Sequence, residues 1–416
     1  MASVKQHISS QIQARWIPWC AAASIVASLI SIAAAYIFAG VALLLWIVDT
    51  LRRRRLHLRW PPFTLPLLLF VISIGIAVLF SADPGTSSGS LKKLVRFLFV
   101  PLMFTWLGIV HVKWTVRRIY WVVGASAIFA LAQYYWLMEP DLQHRITGFM
   151  SHWMTFSGQL MMGAVSLGVF LCRERFAAAG SATAKREEMG RRRLPVLGLL
   201  LLILLSWCLL VTFTRNAWLG AAAGGLLLVV LTKRTRVLLL LLALMALLIV
   251  VPTPFRDRLL SGVDLSDTTT QVRLEMVRSG SRLIAEHPWT GVGPGMVYRE
   301  VLKYRSHQEY PDWAYQHLHN NFLQVAAETG LVGLAFWLAL WIVLIRDLIR
   351  MWLRSESEWV RFLSLNGLCI TAAFHVAGCL EYNFGDSEVL ILLLFFLTAP
   401  YAVQRREFSP TGSEEG

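Results

Sequence analysis

The stretch YQHLHNNFLQVAAETG (315–330) places two histidines and two asparagines just before an apolar run. Histidine exchanges a proton near neutral pH, and a general base must lie within hydrogen-bond reach of the hydroxyl that it activates. His319 stands at the predicted start of a helix, which suits a base, and its neighbours His317, Asn320 and Asn321 are candidates for substrate binding. Alternatively, one asparagine caps the helix while the histidines bond headgroups or backbone. The residues alone leave both interpretations open.

Five cations form a second candidate set, because they stand beside or inside the ends of apolar runs. Arg215 lies in the turn TFTRNAWLG with no counter-charge nearby in sequence, and its planar guanidinium suits bidentate binding of phosphate. Arg145 and Arg96 lie at the ends of apolar runs, and Lys92 and Lys93 precede Arg96. Each cation could instead extend toward lipid headgroups or cap a helix end. For Arg215 we favour anion binding.

Two further features are weaker signals. Glu328 follows His319 by about two and a half helical turns, where a buried carboxylate needs a partner such as an arginine or a helix N-terminus. The glycine-rich turn HPWTGVGPG (287–295) offers backbone N–H groups to an anion. It lacks the Lys-Ser/Thr ending of a P-loop, and a tight surface turn explains it nearly as well.

Several chemistries are disfavoured by what the polar segments lack. They contain no paired carboxylates of glycosidase type, no Ser-His-Asp arrangement and no HExxH motif, which argues against a hydrolase. The five cysteines form no CxxC pair, and no His or Cys cluster has metal-ligand spacing, so we expect neither disulfide nor metal. A base-like histidine with several cations suggests displacement of a phosphate leaving group without a cofactor.

The composition indicates what kind of structure must position these residues. The 416 residues are 56% hydrophobic and only 15% charged, so the chain is too apolar for an ordinary soluble protein of this size. Its net charge of +14 does not indicate nucleic acid, because the Lys and Arg residues punctuate apolar runs instead of forming one basic surface. We predict an all-α polytopic membrane protein in contact with membrane lipids.

About 20 apolar residues cross the hydrocarbon core, and the apolar runs predict about twelve spans. The run 16–51 is too long for one span, and it is predicted as either a hairpin near Ala33–Ala35 or one long tilted helix. The predicted spans are 17–33, 35–51, 62–81, 94–110, 117–137, 152–172, 195–213, 216–232, 237–252, 320–345, 360–380 and 388–404.

Charge between the spans sets the predicted orientation. With both termini cytoplasmic, 26 of the 39 Lys and Arg residues fall inside, as the positive-inside rule requires. The inside connections are 52–59, 111–118, 173–193, 233–236 and 346–361, and the outside ones are 82–93, 138–151, Thr214–Arg215, 253–319 and 381–387.

Only one outside segment, 253–319, is long, and at this length we expect a small structured element. Within it, TQVRLEMVRSGSRLIAEHP predicts an amphipathic helix at the membrane surface ended by Pro288, and YREVLKYRSHQEY predicts a second short helix. The chain then divides into nine spans (1–252), the loop (253–319), three spans (320–404) and a cytoplasmic tail (405–416).

The motifs resemble the bacterial O-antigen ligase family, within the group that also holds O-antigen polymerases and O-linked oligosaccharyltransferases. The resemblance covers most of the chain, and the order of the motifs makes it specific. Its motifs are H-N-x-x-L…E-x-G at His319–Gly330, T-R-x-A-W-L-G at Thr214–Gly220, an arginine before a P-x-x-G-x-G turn (Arg273 with Pro288, Gly291 and Gly293), and RITGF…H…F…Q at 145–159.

The resemblance implies a GT-C-like, metal-independent membrane glycosyltransferase with a periplasmic active site in the bacterial inner membrane. Its donor would be a glycan on undecaprenyl diphosphate, and its acceptor lipid A–core oligosaccharide. His319 would be the general base, while Arg215 and Arg273 would hold the diphosphate; Lys92, Lys93, Arg96 and Arg145 match a looser pattern. A polymerase or protein O-oligosaccharyltransferase of the same group is the nearest alternative. A lipid-linked glycan flippase is less favoured, because the middles of the spans carry almost no charge.

Overall fold

The structure is a computed structural model that describes residues 2–56, 58–137, 145–173, 193–233, 254–262, 264–306, 310 and 312–407. These residues form α-helices, short 3-10 segments and a π-helical segment at Gln133–Leu137, and no strand, which confirms the all-α class. The α-helices are, in chain order, α1 (Ala2–Ala27), α2 (Ile32–Arg53), α3 (Thr64–Leu79), α4 (Pro84–Ser88), α5 (Phe99–Trp106), α6 (Ile109–Ala132), α7 (Trp153–Leu171), α8 (Arg193–Val211), α9 (Arg215–Leu231), α10 (Pro254–Leu260), α11 (Thr268–Glu286), α12 (Val297–Glu300), α13 (Asn321–Arg354), α14 (Glu358–Gly378) and α15 (Ser387–Glu407).

Several of the long helices are apolar enough to lie in a membrane. Among the described residues, six helical stretches are long and apolar enough to cross a bilayer, and three further apolar helices are shorter. Each predicted span overlaps helix except 237–252, which lies outside the described residues. The chain is therefore a multi-pass membrane protein.

The apolar run 16–51 forms two helices. Backbone turns at Ser28–Ser31 separate α1 from α2, and Ser31 caps α2 by accepting a hydrogen bond from the N–H of Ala34. Of the two predicted alternatives the hairpin is correct, but its turn lies a few residues before Ala33–Ala35.

The predicted span 94–110 is not one continuous helix. A 3-10 segment covers Gly89–Leu98, α5 follows, and the chain becomes extended at Leu107 before α6 begins. Arg96 is buried within the 3-10 segment, so this part of the predicted span packs against protein.

The connections sort to two ends as the charge pattern predicts. Segments predicted outside, and the span ends next to them, are joined by hydrogen bonds from Ser87 to Pro294, Arg145 to Phe213, Arg215 to Ser261, Thr155 to Asp386 and Asn320 to Cys379. Segments predicted inside meet at the opposite end, through contacts of Arg173 with Glu358, Lys113 with Trp359, and Arg59 and Arg405 with Thr105.

The described part of 253–319 has an apolar core of its own. Its centre is formed by Val272, Met276 and Leu283 on one face of α11, packed against Val301 and Leu318. The predicted amphipathic helix is confirmed as α11, which ends just before Pro288. The predicted second helix is present only as α12 and the 3-10 turn Val301–Tyr304. A structured element of this kind can hold side chains over the ends of the membrane helices.

Candidate active site

His319 is positioned by the asparagine that follows it. Asn320 is the N-cap of α13, and its side-chain oxygen accepts hydrogen bonds from the N–H groups of Phe322 and Leu323 at 2.8 and 3.0 Å. Its amide nitrogen donates to the carbonyl of Cys379 at 2.9 Å, which ties the start of α13 to the end of α14. The capping alternative raised by the sequence is therefore correct for Asn320.

The next asparagine makes the same connection from a buried position. Asn321 is completely buried, donates to the side-chain oxygen of Asn383 at 2.6 Å and accepts from the N–H of Phe384 at 3.0 Å. A Cβ at Gly378 would collide with the Asn321 amide, so the close approach requires glycine there. Together the two asparagines fix the α14–α15 connection beside the histidines.

His319 itself has a left-handed backbone, with φ of 46°. For a residue other than glycine this conformation costs on the order of 1 kcal/mol or more, and such residues concentrate at functional sites. The strain is maintained because the preceding loop and the capped helix on either side are both held by hydrogen bonds.

The α14–α15 connection supplies the carboxylate of this site, Glu381. Its Oε2 lies 3.3 Å from Nδ1 of His319, its Oε1 lies 3.5 Å from Nε2 of His317, and it also accepts from the N–H of Tyr382 at 3.0 Å. The two imidazole rings are 4.2 Å apart. This arrangement is a histidine–carboxylate pair with a second histidine beside it.

Burial and hydrogen bonding determine which side chains of this site are charged at neutral pH. Burial opposes ionisation of Glu381, but the hydrogen bond from His319 and the nearby histidines outweigh it and lower the pKa of Glu381 to about 2. Burial lowers the pKa of His317 to about 4, against the attraction of Glu381. At neutral pH Glu381 is therefore an anion, and His317 is neutral and adds no positive charge for substrate binding.

These three side chains also form a group with metal-ligand geometry. One ligand atom from each of His317, His319 and Glu381 lies within 4.8 Å of the others. The spacing along the chain did not predict this cluster, because Glu381 is far from the histidines in sequence and the asparagine contacts help to bring it to them.

An arginine cluster, defined as Arg145, Arg215, Arg258 and Arg273, lies beside the pair. Arg145 and Arg258 both donate to the carbonyl of Phe213, at 3.4 and 3.3 Å. Burial, together with the charges of the other three arginines, lowers the pKa of Arg145 to about 10. The cluster therefore concentrates positive charge at the start of α9.

Arg215 is buried and holds the loop element against α9. Its Nη1 donates to the Ser261 hydroxyl at 2.9 Å, and its Nη2 lies 3.5 Å from the carboxylate of Asp267, the N-cap of α11. Asp267 thus joins the N-terminus of α11 to the arginine cluster. Guanidinium groups gathered in this way are suited to binding an anion.

Arg273 links the two halves of the site. Burial lowers the pKa of Arg273, with the charge of Arg215 acting in the same direction and the charges of Glu381 and Asp267 opposing it, so its guanidinium is near both Glu381 and the other side chains of the cluster. Its buried Nε has no hydrogen-bond partner among the described residues. A buried donor in this position is suited to a ligand oxygen.

A cavity of about 790 Å³, called the polar cavity below, lies next to Glu381. It is lined by His317, Glu381, Asn216, Lys92 and Lys93 among other residues. The predicted binding residues Lys92, Lys93 and His317 thus face one space.

Arg96 does not line the polar cavity. Its guanidinium donates to the carbonyls of Lys93 and Gly385, at 2.8 and 3.0 Å. Those contacts hold the 3-10 segment against the α14–α15 connection, so the role of Arg96 in the structure is to join these two segments.

The glycine-rich turn is occupied by protein contacts. Val292 and Gly293 donate to the carbonyls of Ala327 and Glu328, and Gly295 donates to the Glu328 carboxylate at 3.1 Å. Gly330, with φ of 70°, breaks α13 where the turn docks. The turn therefore donates a hydrogen bond to the Glu328 carboxylate and positions α13. Because these N–H groups bond to protein acceptors, they are not available to an external anion.

Two residues of this site were not singled out from the sequence. Arg258 was counted only as one of the cations of the long loop, and Glu381 as part of a short connection. A carboxylate directly after an apolar span on the predicted outside was the available signal for Glu381.

The comparison with protein families bears on the same segment. Residues 200–338 match the family model described as O-antigen ligase, which confirms the resemblance seen in the motifs. No curated protein matches the chain. The matched segment contains Arg215, Arg258, Arg273, His317 and His319 and ends before Glu381.

Proposed function

From its place in the O-antigen ligase family, we propose that this protein transfers O-antigen polysaccharide from undecaprenyl diphosphate to lipid A–core oligosaccharide. The observation that carries the proposal is the part-buried His319–Glu381 pair, with Arg273 of the arginine cluster near Glu381. A base and an anion site that are neighbours suit attack by a hydroxyl on a sugar whose leaving group is a diphosphate.

The reaction begins with the acceptor hydroxyl. Glu381 accepts a hydrogen bond from Nδ1–H of His319, which leaves the lone pair on Nε2 and stabilises the imidazolium that forms. His319 removes the proton as the hydroxyl oxygen bonds to the anomeric carbon, and the bond from that carbon to the diphosphate oxygen breaks. The diphosphate departs with the electron pair, and the histidine later returns its proton to solvent.

The arginine cluster stabilises the leaving group. Charge grows on the diphosphate as the bond breaks, and partly buried guanidinium groups are already in place to meet it without reorganisation. The cluster thereby supplies the charge that a divalent metal provides in other transferases, so the reaction proceeds without a metal. The polar cavity accommodates the acceptor sugar, with Lys92 and Lys93 toward its anionic groups.

The same proposal includes orientation. The active-site end faces the periplasm, both termini are cytoplasmic, and the chain crosses the inner membrane twelve times in a GT-C-like arrangement. The separation of the connections into two ends, with most Lys and Arg residues at one of them, supports it.

Reconstitution tests the reaction directly. Purified protein, a glycan on undecaprenyl diphosphate and lipid A–core are incubated with excess chelator, and the joined product is expected at an undiminished rate. Displacement in one step predicts inversion at the anomeric carbon, which NMR of the product measures. Retention would contradict the single-step mechanism, and loss of product in chelator would contradict metal independence.

The acceptor separates the closest alternatives. Offering a second O-antigen chain or an acceptor protein in place of lipid A–core tests polymerase and protein transferase activity. Preferential use of either acceptor would overturn the ligase assignment while leaving the donor chemistry unchanged. A flippase would move the donor between leaflets of a vesicle and form no joined product.

Glu381→Gln is expected to slow transfer roughly 10- to 100-fold, the range typical of residues that orient a functional histidine. Glutamine keeps the size of the side chain but loses the charge that stabilises imidazolium. Steady-state kinetics should show the loss in kcat, with KM for the donor nearly unchanged. Glu358→Gln, which removes a carboxylate paired with Arg173 at the opposite end, is the matched control. An equal loss in both variants would assign Glu381 a purely structural role.

A further inference from the structure

We propose that His317, His319 and Glu381 form a binding site for Zn²⁺ whose occupation switches the enzyme off. The binding itself follows from the geometry of these three side chains. The inhibitory effect rests in addition on the proposed role of His319 as the base.

The distances already resemble those of a zinc site. Tetrahedral Zn²⁺ with bonds of about 2.0–2.2 Å places its ligand atoms about 3.3–3.5 Å apart. Oε2 of Glu381 lies 3.3 Å from Nδ1 of His319, and Oε1 of Glu381 lies 3.5 Å from Nε2 of His317. One ligand atom from each of the three residues lies within 4.8 Å of the others, so modest side-chain rotations bring the set to the spacing around bound Zn²⁺.

The ligands are held in place before any ion arrives. Asn320 and Asn321 fix the segment that carries the histidines to the segment that carries Glu381. The side chains of His319 and Glu381 are only 12% and 9% exposed. A preorganised, shielded set of this kind is what distinguishes a built site from histidines that meet on a surface.

The site is also accessible. His317 and Glu381 line the polar cavity, which gives an ion a route to the ligands and room for a water molecule at the open fourth position. Two imidazoles and one carboxylate favour Zn²⁺ over Mg²⁺ or Ca²⁺, which prefer oxygen ligands. The positive charge of Arg273 near Glu381 opposes a cation, so we infer reversible occupation.

The inhibitory effect follows from the tautomer of His319. A neutral imidazole carries one proton, which lies on Nδ1 when that atom donates to Glu381. When Zn²⁺ takes the lone pair of Nδ1, the proton must reside on Nε2. Nε2 then cannot accept the proton of the acceptor hydroxyl, and transfer stops although donor and acceptor still bind.

Metal binding is measured on the full chain in detergent after chelator treatment. Titration calorimetry with Zn²⁺ is expected to show one site, and Co²⁺ bound there should give the visible absorption of a four-coordinate ion. His317→Asn should weaken binding at least about 10-fold, since it removes one of three ligands. His287→Asn, which removes an exposed histidine at the end of α11, should bind as the unaltered protein does.

Inhibition is measured in the transfer assay. Zn²⁺ should reduce the rate and chelator should restore it, and the concentration for half-inhibition should rise at least about 10-fold in His317→Asn relative to that variant's own metal-free rate. Stimulation by Zn²⁺, or equal inhibition of His317→Asn, would overturn the proposal. So would equal weakening of Zn²⁺ binding by His287→Asn. Stoichiometric binding in a protein that forms no joined product would contradict the proposed function and leave the metal site intact.

Discussion

Replacing His319 with asparagine should reduce glycan transfer by about 10²- to 10⁴-fold, the usual effect of removing a positioned general base. Asparagine is polar and tolerates the left-handed backbone found at this position, where φ is 46°. It cannot take a proton near neutral pH. His319→Ala should lose activity to the same extent, but alanine fits the left-handed backbone less well. The measurement is the transfer rate at saturating donor, with Tm recorded for each variant.

The control is a variant that folds as well as the unaltered protein and carries the same substitution at a histidine outside the site. His287→Asn makes the same change at an exposed histidine and should transfer normally. A His319→Asn protein of unchanged Tm with near-normal turnover would remove His319 from the mechanism. Loss of activity together with a large fall in Tm would instead show that the residue is needed for folding.

Replacing Arg215 with lysine is expected to lower kcat/KM for the donor by about 10²- to 10³-fold, comparable to losing one donor that stabilises transition-state charge. Lysine keeps the positive charge but loses the planar fork. Arg215 uses separate nitrogens for Ser261 and Asp267, and a single ammonium group cannot reproduce that geometry while also facing a diphosphate. The measurement is initial rate against donor concentration.

Arg282→Lys is the matched control, because Arg282 is an exposed arginine on α11. It should leave kcat/KM for the donor unchanged. Normal donor use by Arg215→Lys would mean that Arg215 only anchors the loop element to α9. In that case the variant should lose stability and keep its activity, which is the opposite of the predicted pattern.

The order of helices could be inferred from the sequence because membrane insertion obeys local rules. Apolar length and the placement of Lys and Arg are properties of short segments, and they correctly grouped Arg173 with Glu358 at one end and Arg145 with Phe213 at the other. The same rules failed at 94–110, where the 3-10 segment is stabilised by the contact of Arg96 with Gly385, far away in the chain. Apolar character alone does not reveal such a contact.

The residues of the candidate site also differ in whether the sequence alone could identify them. His319 and Arg215 were identified from their residue types beside apolar runs, which are local signals, and Arg273 from a motif that resembles the family pattern. Glu381 was found only in the tertiary structure, since its contact with His319 depends on two asparagines that join segments about sixty residues apart. Likewise, Arg258 joins the cluster only because the loop element folds back over α9. The sequence thus determined which groups can bind and react, whereas tertiary packing decided which of them meet, because burial and hydrogen bonding between distant segments set their distances and their charges.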